Sequence, residues 1–163
     1  MRSHQISARW IVNCALGGLL LTMASGWRWQ SPAIAQFEAI ILAAGFTPNP
    51  TVLAGVGGGD RPAEDVVDTR RTPTGLCLGY VTTDPHEELT LQTAFPNLEM
   101  RVESELDTTL IVIGPDRVWC NDDSVDQNPA IAGPWLAGNY QIWIGAYQAD
   151  EQPEYEFFIT DNS

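Results

Sequence analysis

The sequence predicts an all-β protein, an antiparallel β-sandwich of jelly-roll type with about eight strands. Three observations carry that prediction. Apolar residues recur with a period of two: Leu98, Met100 and Val102 alternate with Glu99, Arg101 and Glu103, and Tyr140, Ile142 and Ile144 alternate with Gln141 and Trp143. Such alternation marks a strand with one buried face. Gly, Pro, Asn and Asp separate these segments at short intervals. No stretch after residue 36 has the apolar spacing of a packed helix.

The elements follow in order. Residues 1–35 read as an export signal. Arg2 and Arg9 open it, Ile11 to Ser25 is uncharged and mostly apolar, and Ala33-Ile34-Ala35 fits a small-x-small cleavage site that leaves Gln36 first. The apolar run falls short of the ~20 residues of a membrane span, so no anchor is expected after cleavage. Residues 36–53 are expected to hold a strand, Phe37 to Ala43, and a proline turn that pack on the domain after them. Residues 54–75, rich in glycine and acids, read as a long flexible loop. Its glycines are no phosphate cradle, because no Lys-Ser or Lys-Thr follows and no helix opens.

The sandwich domain is placed at residues 76–163. Leu76 to Thr82 is one strand. Leu89 and Leu91 mark the next, and Leu98 to Glu103 the one after. Thr108 to Ile113 is apolar on both faces, as a central strand would be. Gly114-Pro115-Asp116 turns the chain and Arg117 to Cys120 returns it. Gly138 to Tyr147 and Tyr155 to Ile159 complete the set.

Charge narrows the function. The chain has 21 acidic residues, eight arginines and no lysine, for a formal net charge of −13. All the acids lie after residue 36. Such a surface repels phosphate backbones, which argues against nucleic acid as a partner, and it disfavours anionic membranes. It attracts cations and keeps a secreted domain soluble.

Cys14 falls within the export signal, leaving Cys77 and Cys120. In a secreted or periplasmic chain the default for two such cysteines is a disulfide. Closing a loop of 43 positions stabilises by about 4 kcal/mol in the chain-entropy picture. A zinc site lacks partners, and there is no Cys-x-x-Cys redox pair.

A family resemblance rests on particular residues. Asp107-Thr-Thr-Leu110, Gly114-Pro-Asp116, Trp119-Cys-Asn-Asp-Asp123, Asn128-Pro129 and Gly138-Asn-Tyr-Gln-Ile-Trp-Ile-Gly145 resemble the bacterial pre-peptidase C-terminal domain. The chain is similar in particular to small secreted cyanobacterial proteins built from one such domain. The resemblance covers about residues 76–161, with weaker support over 37–50. It implies a β-sandwich that assists secretion or substrate binding by hydrolases and holds no catalytic residues. No enzyme domain accompanies it within these 163 residues.

Two constellations are candidate sites. Asp122, Ser124, Asp126 and Asn128 stand two apart, like the oxygen ligands of a calcium loop. The EF-hand pattern fails, with Gln127 at the glycine position and Gly133 at the glutamate position. A looser calcium site would join Asp107 and Asp123 to Asp122, Asp126 and Asn128; the other reading is that these side chains cap turns. Trp119, Trp135, Trp143 and Tyr147 form the second set. On an open sheet face they would stack on sugar rings or dock on protein; otherwise they fill the core.

Catalysis has no such basis. Ser104, Ser124 and Ser163 are the serines after residue 36, none within Gly-x-Ser-x-Gly, and His86 has no evident serine partner. The expectation is a secreted, non-catalytic module for an extracellular polysaccharide, envelope or protein ligand, with calcium as the candidate cofactor. The alternatives are a structural matrix protein and an uncharacterised secreted hydrolase.

Overall fold

A computed structural model describes residues 39–163. The expected export signal and its expected cut before Gln36 lie outside the described residues. Thirteen strands and one short helix make up the described chain, where about eight strands were expected. The class is as predicted: two antiparallel sheets packed face to face, with extra short strands at their margins.

The four-stranded sheet is ordered β11 (Ala130–Trp135), β8 (Phe95–Ser104), β13 (Glu154–Asp161), β2 (Thr51–Val56). The seven-stranded sheet is built around β12 (Gly138–Ala146). One edge of β12 pairs with β9 (Thr108–Ile113), which pairs in turn with β10 (Val118–Asn121). Its other edge pairs first with β7 (Glu87–Leu91) and then with β6 (Tyr80–Val81). Beyond these lie β1 (Ile40–Leu42), parallel to β7, and β3 (Arg61–Pro62), antiparallel to β6. Successive strands pass back and forth between the sheets, so most pairings join distant parts of the chain.

The inner faces form the main core. Leu98, Met100 and Val102 of β8 and Tyr155, Phe157 and Ile159 of β13 meet Leu110, Val112, Tyr140, Ile142 and Ile144 from the other sheet. This is the alternation visible in the sequence. Trp119 and Trp135 also turn inward, their rings 4.5 Å apart at the centroids, with Tyr140 against Trp135 at 5.5 Å. Trp135 donates its indole N–H to the Leu98 carbonyl at 2.9 Å, and Tyr140 donates its hydroxyl to the Leu136 carbonyl at 2.7 Å. Each of these two buried rings thus keeps its polar atom satisfied.

A second, smaller core lies on the outer face of the seven-stranded sheet. Ile111, Cys120, Trp143 and Val81 project from that face and are covered by Ala63 and Cys77, with Val66 and Val67 packed alongside. The cover is the segment read as a flexible loop. Residues 54–75 in fact hold the end of β2, then β3, helix α1 (Ala63–Val67), β4 (Arg71–Thr72) and the start of the β5 strand (Gly75–Leu76). Its polar composition is real, but Ala63, Val66 and Val67 turn to the sheet.

Two glycines explain why this stretch does not read as structure. A Cβ on Gly55 would stand 2.6 Å from the Tyr155 hydroxyl, and one on Gly57 would stand 2.5 Å from the Ile144 carbonyl oxygen. Both positions need the close backbone approach that only glycine allows.

The cover is fastened to β10. Cys77 and Cys120 form a disulfide with their Cα atoms 5.1 Å apart. Cys120 donates its N–H to the hydroxyls of Thr72 and Thr74, at 3.1 and 3.3 Å, and accepts the Thr74 hydroxyl at 2.9 Å on its carbonyl. The free edge of β10 is thereby occupied by side chains, which blunts it against further pairing.

Candidate functional site

The cover decides which aromatics are accessible. Trp143 does project from the face opposite Tyr140 and Ile142, as its place in β12 requires, but it is 4% exposed beneath the cover. Trp119 and Trp135 are likewise enclosed. Of the two readings open for these rings, Trp119, Trp135 and Trp143 follow the core-filling one. Two serve the main core and one the covered face. Tyr147 alone of the four is exposed, just past the end of β12, where its N–H donates to the Asp107 carbonyl at 3.0 Å.

The acidic loop is mostly occupied with its own backbone. Val125 and Asn128 close a tight turn by backbone hydrogen bonds, and Asp126 takes a left-handed conformation at φ 54°. Asn128 accepts the Thr108 hydroxyl at 2.8 Å and donates its amide to the Ser104 carbonyl at 3.0 Å, tying the loop to β8 and β9. Asp126 and Asn128 are thus turn and bridge residues. Asp107 differs. Its Oδ1 is buried without a hydrogen-bond partner among the described residues. Burial, together with the charges of Asp123, Asp122 and Glu151, pushes its carboxyl above the ordinary carboxylate range. Among the described residues no three His, Cys, Asp or Glu side chains gather closely enough to form a metal site on their own.

His86 is structural in its contacts. Its Nδ1 accepts the Ile144 N–H at 3.2 Å, its other hydrogen bond is to the Gly58 backbone, and its ring stands edge-on to Tyr155. Burial holds its pKa below the ordinary 6.5. Nearby, Tyr155 donates its hydroxyl to Glu87 at 2.8 Å. Burial raises both of those groups, and the Glu87 charge raises Tyr155 further.

The open surface is the outer face of the four-stranded sheet. Residues opposite one another in antiparallel strands share a face. Val52, Phe158, Arg101 and Ala130 therefore form one row across β2, β13, β8 and β11. Arg101 lies over the Phe158 ring, 4.5 Å from its centroid. The guanidinium is fixed by Glu99 at 3.7 Å and by Glu103. The next row brings Ala54, Glu156 and Glu103 together, two like charges directly opposite each other. At the end of this face is a shallow depression of about 670 Å³ between Val56, Glu105, Glu154 and Glu156. A second hollow, of about 500 Å³, lies on the other sheet where Glu88, Thr90, Asn139 and Gln141 stand together.

Phe158 and Arg101 were not singled out in the sequence. The signal was present: Phe158 interrupts the alternation of Tyr155, Phe157 and Ile159 and so must point outward. That Arg101 stands beside it depends on cross-strand register, which one sequence does not disclose.

No known protein-family profile matches the chain. Over 105 residues it is 26% identical to an uncharacterised protein of Synechococcus elongatus, a stretch covering 62% of this chain and 69% of that one. In structure it is similar to the pre-peptidase C-terminal domain of a collagenase from Bacillus anthracis. The TM-score is 0.45 at 12% identity, over 77% of this chain and 97% of that domain.

Proposed function

We propose that the chain is a secreted, non-catalytic β-sandwich module that binds an extracellular polysaccharide, envelope or protein ligand through the outer face of its four-stranded sheet. One observation carries this reading: that face is open and bears an ordered aromatic–guanidinium pair, Phe158 under Arg101, while the opposite outer face is covered around Ile111, Cys120 and Trp143. Stacked planar groups held by flanking carboxylates offer a rigid contact surface, whose ordering cost is met before a ligand arrives. The absence of catalysis is supported by His86, whose ring is engaged by backbone groups. Export is supported by the disulfide, which suits an oxidising compartment. Among the described residues no helix is long and apolar enough to cross a membrane.

Calcium is the cofactor this reading admits. Asp107, with its unpartnered oxygen, and Asp122 and Asp123 beside it supply hard donors. The test is a binding array of glycans and envelope proteins, run with calcium and with chelator, on the wild type and on Arg101→Ala with Phe158→Ala. Capture that the double variant loses supports the reading. Capture unaffected by it moves the site elsewhere, no capture at all favours a structural protein, and turnover in a hydrolase screen overturns the non-catalytic assignment.

A further inference from the structure

Among the described residues every long sheet edge but one is guarded. On β10 the edge groups of Cys120 are bonded by Thr72 and Thr74. Strand β11 is interrupted by an irregularity between Gly133 and Trp135, with Pro134 inside it. Strands β1 and β3 are three and two residues long. Strand β2 is different: six residues, Thr-Val-Leu-Ala-Gly-Val, with no charge, no proline and no break. It pairs with β13 on one side only, and among the described residues nothing bonds its other side. Its outward side chains, Val52, Ala54 and Val56, are exposed. Unpaired N–H and C=O groups along such an edge are a template for one more strand.

The chemistry of the added strand follows from what lies one strand inward. Glu156 stands opposite Ala54, and Glu154 opposite Val56. Both are exposed, and neither has a cation partner among the described residues. Ala54 is small, so a long side chain on the far side of β2 reaches across it to Glu156. Opposite Val52 the next inward neighbour is Phe158, which calls for an apolar contact instead.

We propose that β2 receives an extended basic peptide segment of a partner protein as a fifth strand, with Lys or Arg opposite Ala54 and Val56 and an apolar residue opposite Val52. Backbone pairing supplies the affinity and the alternate side chains the choice of partner. This deepens the binding-module reading and rests on it. A second copy of the chain is a poor occupant, because it brings a net charge of −13, no lysine, and no cation on β2.

The test titrates isotope-labelled chain with three end-capped peptides: Thr-Lys-Thr-Lys-Thr-Val-Thr, its Lys-to-Glu counterpart, and the basic peptide N-methylated at alternate amides. Amide shifts confined to residues 51–56 and their β13 partners, seen with the first peptide alone, are expected. Glu154→Gln with Glu156→Gln weakens that binding about fivefold, as two exposed ion pairs should, and high salt does the same to the wild type. Equal binding of the N-methylated peptide would mean charge attraction without strand pairing and overturns the proposal. So does equal binding of the acidic peptide. Sedimentation showing a dimer whose 51–56 amides are protected gives the edge to a second copy and also overturns it. A chain that ignores all three peptides yet captures a glycan loses this inference and keeps the module reading.

Discussion

His86 and the Tyr155–Glu87 pair show how single polar groups are held between the sheets. His86 accepts a backbone N–H only while neutral, and burial lowers its pKa from 6.5. The unfolded chain therefore takes up a proton that the folded chain refuses. Folding stability is full above the unfolded pKa and falls as pH drops through about 6.5. Urea unfolding at pH 8 and pH 5.5 should show that loss in the wild type and not in His86→Gln. An equal loss in both assigns it to another group. Glu87 has the opposite sign. Its carboxyl is raised by burial, so its ionised form costs stability at neutral pH, and the cost is relieved as pH falls through the raised pKa. Tyr155→Phe removes the hydroxyl that steadies the ionised form, at about 1.5–3 kcal/mol for a hydrogen bond to a charged group. The gap between variant and wild type should narrow when the same unfolding is run near pH 4. A gap that does not change with pH would mean that lost packing, not Glu87, sets the cost.

At the scale of elements, sequence and structure part company in three places. Strands with one apolar face were legible: β7, β8, β12 and β13 stand where alternation put them. Strand β2 was missed because Gly55 and the glycines after it read as loop, and β11 because Gly133 and Pro134 do. At Gly55 and Gly57 the residue type answers to neighbours distant in sequence. The cover was missed for a related reason. Its helix is five residues, too short to show a period, and it packs only because β9, β10 and β12 offer a face. The four ring positions were readable and their accessibility was not, since accessibility depends on that cover and on which strands face each other. Removing the fastening should be costly. Cys77→Ala with Cys120→Ala is expected to lose about 2–5 kcal/mol. It should also speed tryptic cleavage after Arg71, already exposed in the cover. Unchanged cleavage would mean that packing alone holds the segment. Thr72→Val with Thr74→Val leaves the disulfide in place and strips the edge of β10. The expected loss is about 1–3 kcal/mol for an unsatisfied N–H and C=O. No loss in urea unfolding would show that water serves that edge equally well.

Over the whole molecule, negative charge is the imbalance that the fold leaves standing. Four ion pairs are formed among the described residues, against 21 acids in the chain. Self-repulsion of that surface should be screened by salt, so the melting midpoint is expected to rise between about 0.01 and 0.15 M sodium chloride, as the screening length falls from about 30 to 8 Å. A midpoint that does not move would mean the acids are spaced widely enough to ignore one another. Calcium at matched ionic strength should raise the midpoint further than magnesium if Asp107, Asp122 and Asp123 hold it, and Asp107→Asn should abolish the difference. Equal melting with both ions and with chelator would leave these acids without a calcium role.

The fastening of the cover has a consequence in time. A chain is made from its N-terminus, so Cys77 and the segment before it emerge ahead of β9, β10 and β12, the strands whose face they will cover. Cys120 follows 43 residues later. At about 5–20 residues per second that is about 2–9 s in which Val66, Val67 and a lone thiol have nothing to cover. The pair therefore cannot close before that interval ends, and β12, which carries Trp143 under the cover, is made later still.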